Sequence, residues 1–474
     1  MTIPVHRIIN YEGISPSVLA SDAPTLAGLL DENPGLLVYT HSSPHFTTVS
    51  SPANPAVKHK PLAVIRPLSE DPVSHVVRFC VSQSIPISVR SGGHDMLGRS
   101  VIHQGVVLDM RSMDWVRISE DRKSAVIGAG VLGSAVQRTC DAEGLFTPTG
   151  WCTSVGYAGW ALAGGYGSFN SGYGLGVDQI LGARVVTANG KFVDTDDDPE
   201  LLWALRGAGS GSFGVVTEFR IKVYPKPRLF GGLLIFPLSD VRTLFAGMEA
   251  IINGTGMPEQ FSGDTMVIPM QGSYALMFVF AWVLKGDDDL PVAKAFLEKL
   301  CSFGTVLTNN VAEVTPNIFA AMFDQHGEMY PMHSCNRLLT QYGAVLADIL
   351  AENPPSQDGD NIVLHYSHGL AAQPNSGTSF TVRRPHIVMA VGTRIPEDLA
   401  VEDAESHPAV TSTMELMRKL DASGIVLPGT YYNFAPQKDC VAEEMFGEDG
   451  VKRLMALKEK YDSGGVFCRG ILRA

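Results

Sequence analysis

Up to about residue 225, short apolar runs alternate with segments of helical spacing. PLAVIRP (61–67), IPISVR (85–90), GVVLDM (105–110) and KSAVIGAG (123–130) each read as a short buried strand. Between the first two, DPVSHVVRFCVSQS (71–84) begins with an acid and brings Val73, Val76, Val77 and Cys80 to one face, which predicts a helix. GSAVQRTCDAEGL (133–145) predicts another. ILGARVVTANGKFVDT (180–195) predicts a hairpin, because Asn189-Gly190 suits a tight turn that needs positive φ. DPELLWALRGAG (198–209) predicts a helix with an acidic start and a glycine stop, and GVVTEFRIKVYP (214–225) a long strand.

After Pro225 the apolar runs lengthen: GGLLIFPL, DTMVIPM, YALMFVFAWVL, NIVLHYSH and HIVMAVGT. They predict the strands of one large antiparallel sheet, with helices at 290–300 and 409–424 between them. From 428 the chain reads PGTYYNFAPQ and then a helix around 451–462. The expected fold is α+β in three segments. Residues 1–225 form a mixed domain, 226–427 an inserted domain whose sheet is covered by helices, and 428–474 a tail that returns to the first.

The chain's 474 residues exceed one ordinary core, and 45% apolar against 18% charged residues argues against extensive disorder. A net charge of -13, with no basic run, excludes nucleic acid and anionic membranes as expected partners. No apolar run of 18 residues predicts a membrane span. No basic stretch leading into a long apolar run opens the chain, so the expected compartment is the cytoplasm; a secreted protein whose signal has been removed would read the same way. The seven cysteines make no CxxC pair, which disfavours zinc or iron–sulfur ligation, and most are expected to be small buried residues.

Two stretches match GxGxxG. Gly128 to Gly133 lies between a strand and a helix, as a dinucleotide site requires, but the chain then runs into LFTPTGWCTSVG where a second parallel strand ending in an acid is needed. A tight turn is the stronger reading. Gly209 to Gly214 has a helix entering and a strand leaving, so it offers no helix N-terminus for a pyrophosphate, although its glycines could flank a ligand.

Two other stretches carry candidate chemistry. Arg90-Ser91-Gly92-Gly93-His94-Asp95 follows a strand directly, and paired glycines let backbone N–H groups turn together toward an anion. TGWCTSVGYAGWALAGGYG (149–167) threads glycines with aromatics around Cys152, in a pattern that fits neither an amphipathic helix nor a strand. Glycine at that density leaves backbone bare for a flat ligand.

RSGGHD, the 150–186 stretch, ELLWALRGAGSGSFGVVTEFRIKVYP and the tail TYYNFAPQ…FGEDGVKRLMALKEKYD together resemble the FAD-linked oxidases of the berberine bridge enzyme-like group, within the vanillyl-alcohol oxidase superfamily. The resemblance covers roughly 60–225 and 360–470, with several motifs in order. It implies a two-part FAD-binding domain of the PCMH type around an inserted substrate domain. His94 matches the histidine that bonds the flavin 8α-methyl, and Cys152 the cysteine that, in doubly linked members, bonds C6. An imidazole nitrogen and a thiolate are suited to that bonding, and two links would tune the ring as well as hold it. By the same resemblance Arg90, Ser91, Gly92, Gly93, Asp95 and Ser100 border the cofactor, and Thr153, Val155, Gly156, Gly159, Gly165, Val216 and Asn433 lie against it.

The implied reaction is hydride transfer from a substrate C–H to flavin N5, with electrons passing to O2 to give hydrogen peroxide. Tyr431 and Asn433 match the family's Tyr-x-Asn motif, with Tyr431 the candidate base and Asn433 the residue that orients it, the substrate or the flavin; Tyr432 competes with Tyr431. A phenol needs help to act as a base near neutral pH, and His326, His365 and His368 are candidate helpers. In 226–427 there is one tryptophan, Trp282, and eleven of the 17 methionines, which suits an adaptable apolar pocket better than a sugar platform. The expected substrate is a small hydrophobic alcohol of secondary metabolism. A carbohydrate oxidase forming a lactone at C1, or a flavin-dependent oxidative cyclase, is the alternative. No metal is expected, and the sequence leaves the oligomeric state open.

Overall fold

A computed structural model describes residues 9–270, 272–322, 330–355 and 360–472. Its first sheet orders Leu37–Tyr39, Ala63–Arg66, Val106–Asp109 and Ile87–Arg90. Ala63–Arg66 and Ile87–Arg90 each run parallel to Val106–Asp109, and the helix Glu70–Ser82 makes the crossover between them. The periodic face read from the sequence is the one that packs: Val73, Val76, Val77 and Cys80 are fully buried.

The second sheet is antiparallel and orders Val116–Ile118, Ser124–Gly128, Val215–Lys222, Ile180–Val186 and Phe192–Asp194. The hairpin turns at Asn189-Gly190, where Gly190 has φ +74°. The helix Pro199–Ala208 is capped by the Asp198 carboxylate, which accepts the Leu201 N–H at 3.0 Å. Because Ser124–Gly128 pairs antiparallel on both sides, the first GxGxxG has no parallel strand for a dinucleotide fold. A Cβ on Gly130 would lie 1.8 Å from the Met110 carbonyl oxygen, so these glycines serve a close turn.

Among the described residues the third sheet has nine strands. It runs in the order Thr308–Asn309, Arg228–Pro237, Ser273–Leu284, Phe261–Met270, Asn361–Ser367, His386–Arg394, Met332–Leu339 and Val426–Leu427, with Ala312–Val314 also on Arg228–Pro237. Its near-continuous apolar strands are explained by burial on both faces. On Ser273–Leu284, Leu276, Phe278, Phe280 and Trp282 pack toward helices Val241–Asn253, Asp289–Cys301, Ala344–Glu352 and Thr411–Asp421. Val279 and Ala281, one position out of phase, pack instead with Phe146 and Phe169 of the first part.

One buried core combines residues between Leu19 and Val223 with residues between Tyr432 and Leu472, whereas a second is built only from residues between Phe230 and Leu420. Tail helix Ala442–Asp462 contributes Phe446, Leu454, Leu457 and Tyr461 to the first. Among the described residues no helix is long and apolar enough to cross a membrane. Among the described residues Cys80, Cys140 and Cys335 are buried, Cys152, Cys301 and Cys440 half-buried, and Cys468 exposed. Fewer are buried than the sequence led us to expect.

Candidate active site

A cavity of about 400 Å³ lies between the glycine-rich loops of the first part and the large sheet. One wall is the loop that leaves strand Ile87–Arg90. There Ser91, Gly92, Gly93, His94, Asp95 and Ser100 all line the cavity. The facing loop supplies Cys152, Val155, Gly156 and Gly159, and Val216 comes from the strand Val215–Lys222. The two loops meet backbone to backbone: a Cβ on Gly92 would lie 2.2 Å from Gly156 N, and one on Gly156 2.1 Å from Gly92 N. Only glycine permits that approach.

Arg90 is a correction. Its side chain is fully buried and turns away from the cavity. Its guanidinium donates to Asp109 Oδ2 at 2.8 Å, to the Ser51 carbonyl at 3.5 Å and to the Val49 carbonyl. Arg66 and Arg111 share the same carboxylate at 2.8 Å. Burial raises the Asp109 carboxyl, but the surrounding Arg90, Arg111 and Arg66 outweigh it and hold the group well below the usual carboxylate range. This cluster props the loop from below. Its logic is register: Arg90 and Asp109 are directly paired at the ends of parallel neighbours.

Thr153 and Gly165 also lie outside the cavity wall. Thr153 is buried, and its carbonyl accepts the Ser134 N–H at 2.7 Å. Gly165 sits against Gly176 and Trp160, where a Cβ would lie 2.6 Å from Gly176 Cα. Asp95 reaches the cavity, but its carboxylate is engaged by Arg99, whose Nη2 is 2.9 Å from Oδ1.

The His94 imidazole and the Cys152 thiol are joined through a serine to which the sequence assigned no role. Ser154 Oγ lies 2.8 Å from His94 Nε2 and 3.3 Å from Cys152 Sγ. A serine inside a glycine-rich loop carries no signal of its own; its value comes from the fold bringing position 94 next to position 154.

The tail closes the cavity with Tyr431, Tyr432, Asn433 and Phe434. The Asn433 amide donates to Tyr431 Oη at 2.9 Å and to the Gly159 carbonyl at 3.2 Å, tying the motif to the glycine wall. Tyr432 is placed differently: its hydroxyl donates to the Arg469 carbonyl at 2.6 Å and its ring carries the Arg99 guanidinium 3.9 Å from the centroid. Burial pushes the Tyr431 phenol up to about 12, although the Asn433 amide, the backbone N–H groups of Tyr166 and Gly165, and Arg99 all pull it down. Gly165 therefore acts on the tyrosine.

Of the proposed helpers among the described residues, His365 lines the cavity and His368 does not. His368 stacks on Tyr366 and is pushed by burial to about 4, and His326 lies outside the described residues. His365 Nδ1 is 3.2 Å from Asp264 Oδ2, a nearly buried carboxylate that also accepts the Trp151 Nε1–H at 2.7 Å. Met266 and Val363, partners on adjacent strands, extend the same wall. Tyr166 lies edge-on to Tyr431, 4.8 Å between centroids, and donates to His386 Nε2 at 2.7 Å.

The residues present fit a flavin dinucleotide. Gly159 is bare at the wall, where a Cβ would meet nothing within 4 Å. The paired-glycine turn offers backbone to an anion, and a thiol and an imidazole stand together beside an apolar face.

Comparison with known proteins agrees with that fit. Residues 61–196 match the FAD binding domain family. The chain is 31% identical to the FAD-linked oxidoreductase aurO of Gibberella zeae over 93% of its own length and 86% of the relative's. It is 42% identical to the (R)-6-hydroxynicotine oxidase of Paenarthrobacter nicotinovorans, over 86% and 90% of the two chains. Among solved structures, berberine bridge enzyme from Eschscholzia californica superposes with a TM-score of 0.76 at 18% identity, covering 93% of this chain and 97% of that one, a likeness of fold.

Proposed function

Given that the chain belongs to the FAD-linked oxidoreductases of the berberine bridge enzyme-like group, we propose that it oxidises a small, largely apolar alcohol and passes the electrons to O2. In this reading 1–225 and 428–474 hold FAD, and 226–427 supplies the substrate wall. His94 and Cys152 bond the flavin at 8α and C6. The observation that carries the proposal is the meeting of the His94–Ser154–Cys152 group, the Tyr431–Asn433 pair and the apolar face of Met266, Val363 and Phe434 in one cavity.

When bound, FAD would supply a hydride acceptor able to pass its electrons to O2 as hydrogen peroxide. The protein's part is to place and deprotonate. The apolar face excludes water and orients the substrate's C–H. Tyr431 takes the hydroxyl proton, and Asn433 with the Gly165 and Tyr166 N–H groups steadies the oxygen as charge builds there. His365, backed by Asp264, faces the substrate's polar group.

A nicotine-like nitrogenous substrate is a second reading, favoured by the 42% identity to (R)-6-hydroxynicotine oxidase. The deciding experiment mixes purified protein anaerobically with benzylic alcohols, (R)-6-hydroxynicotine and oligosaccharides. We expect flavin bleaching with the first group and one peroxide per reduced flavin when air is readmitted. Bleaching by oligosaccharides alone, or substrate turnover without peroxide, refutes the proposal.

A further inference from the structure

The tail carries a cation that the reading above does not use. After the helix Ala442–Asp462 the chain turns at Gly465, φ +64°, and returns to the cavity. Lys458 anchors the turn: its ammonium donates to the Ser212 and Phe467 carbonyls at 2.7 and 2.8 Å and lies 2.5 Å from Asp462, with both charged groups buried. Gly470 is seated on the 209–214 loop so closely that a Cβ would lie 2.4 Å from Ser212 Oγ and 2.6 Å from the Ser210 and Gly211 carbonyl oxygens. Between these fixed points the Arg469 carbonyl accepts the Tyr432 hydroxyl at 2.6 Å.

The Arg469 side chain lines the cavity. Its Nη2 donates to the Gly98 carbonyl at 2.8 Å, and its Nε is buried with no hydrogen-bond partner. Arg99, the other guanidinium in the wall, is neutralised by Asp95 and donates to the Tyr432 and Asn433 carbonyls. Among the described residues Arg469 has no carboxylate partner, in a chain of net charge -13. A planar guanidinium with an unused donor suits an oxyanion, above all a phosphate oxygen.

Its position says which anion. Arg469 joins two glycine loops of the wall: the 91–100 loop, through Gly98, and the 209–214 loop, through its neighbour Gly470. We propose that Arg469 is the cation that holds the diphosphate of FAD, and that the 463–472 strap is part of the cofactor site. The proposal rests on the flavin reading above.

The test uses the full chain with His94→Ala and Cys152→Ala, so that flavin binding is reversible, and adds Arg469→Met or Arg469→Lys. Affinity for FAD and for riboflavin, which lacks phosphate, is measured by flavin fluorescence. Arg469→Met is expected to weaken FAD about tenfold to a hundredfold and leave riboflavin unchanged, with Lys restoring part of the loss. Equal loss for both ligands, or loss for neither, overturns the inference. If the reversible background binds neither, wild type and Arg469→Met are compared by intact mass after expression at limiting flavin. A severalfold smaller FAD-bearing fraction in the variant supports the role, and an equal fraction overturns it. A wild-type chain that carries no FAD when flavin is plentiful removes the flavin reading itself.

Discussion

The Ser154 hydroxyl stands 2.8 Å from Nε2 of His94, and the same oxygen is 3.3 Å from the Cys152 sulfur. Both proposed attachment residues are thus held by one side chain. Ser154→Ala is expected to keep the fold and lower the doubly attached flavin fraction severalfold, with Ser154→Thr restoring it. Peptide mapping for FAD that bridges the His94 and Cys152 peptides reads this out. Equal bridging in Ser154→Ala and wild type refutes the role. Cys152→Ala should leave a single link through His94, and His94→Ala a single link through Cys152.

Tyr431→Phe removes the oxygen that receives the Asn433 amide. Flavin reduction should slow by about 10²- to 10⁴-fold while flavin content is unchanged. With the phenol pushed up to about 12, its basic form grows as pH rises. The reduction rate should therefore climb through the neutral range and level off only in strong alkali. A plateau near pH 7 would assign the base role to another group.

Asp109→Asn leaves Arg66, Arg90 and Arg111 around an uncharged amide in a fully buried site. The expected loss is about 3–5 kcal/mol, measured by urea unfolding at neutral pH. Because the native carboxyl is held below its unfolded value, its stabilisation is complete above that value, about pH 3.9, and fades as pH falls toward the native one. The wild type–variant gap should be flat from about pH 5 to 8 and narrow in stronger acid. A gap that instead grows on acidification contradicts the assignment.

Gly156→Ala forces a Cβ to within 2.1 Å of Gly92 N. The loops must separate, so the variant should fold but incorporate far less FAD, as seen by absorbance per polypeptide. Full incorporation would show that the loop contact is dispensable.

Local pattern was enough for the segmentation of the first part. The face of helix Glu70–Ser82, the Asn189-Gly190 turn and the apolar runs of the large sheet are properties of neighbours along the chain. The strand Met332–Leu339 escaped that reading because it buries His333 and Asn336. The Asn336 side chain accepts from Tyr431 N and donates to the Tyr431 carbonyl, partners 95 positions away. The family resemblance carried by the order of the motifs likewise pointed to His94, Cys152 and the Tyr431–Asn433 pair.

Tertiary structure decided the rest, because each outcome turns on a contact between distant positions. Strand register set Arg90 against Asp109 and so turned its charge away from the cavity. Backbone contact at Gly92 and Gly156 brought Ser154 to His94, and the returning tail engaged the Tyr432 hydroxyl while leaving Tyr431 on Asn433. The chain by itself determined which chemical groups are available. Packing determined which of them share a cavity, since side-chain direction follows from register and loop closure, and neither is a local property of the sequence.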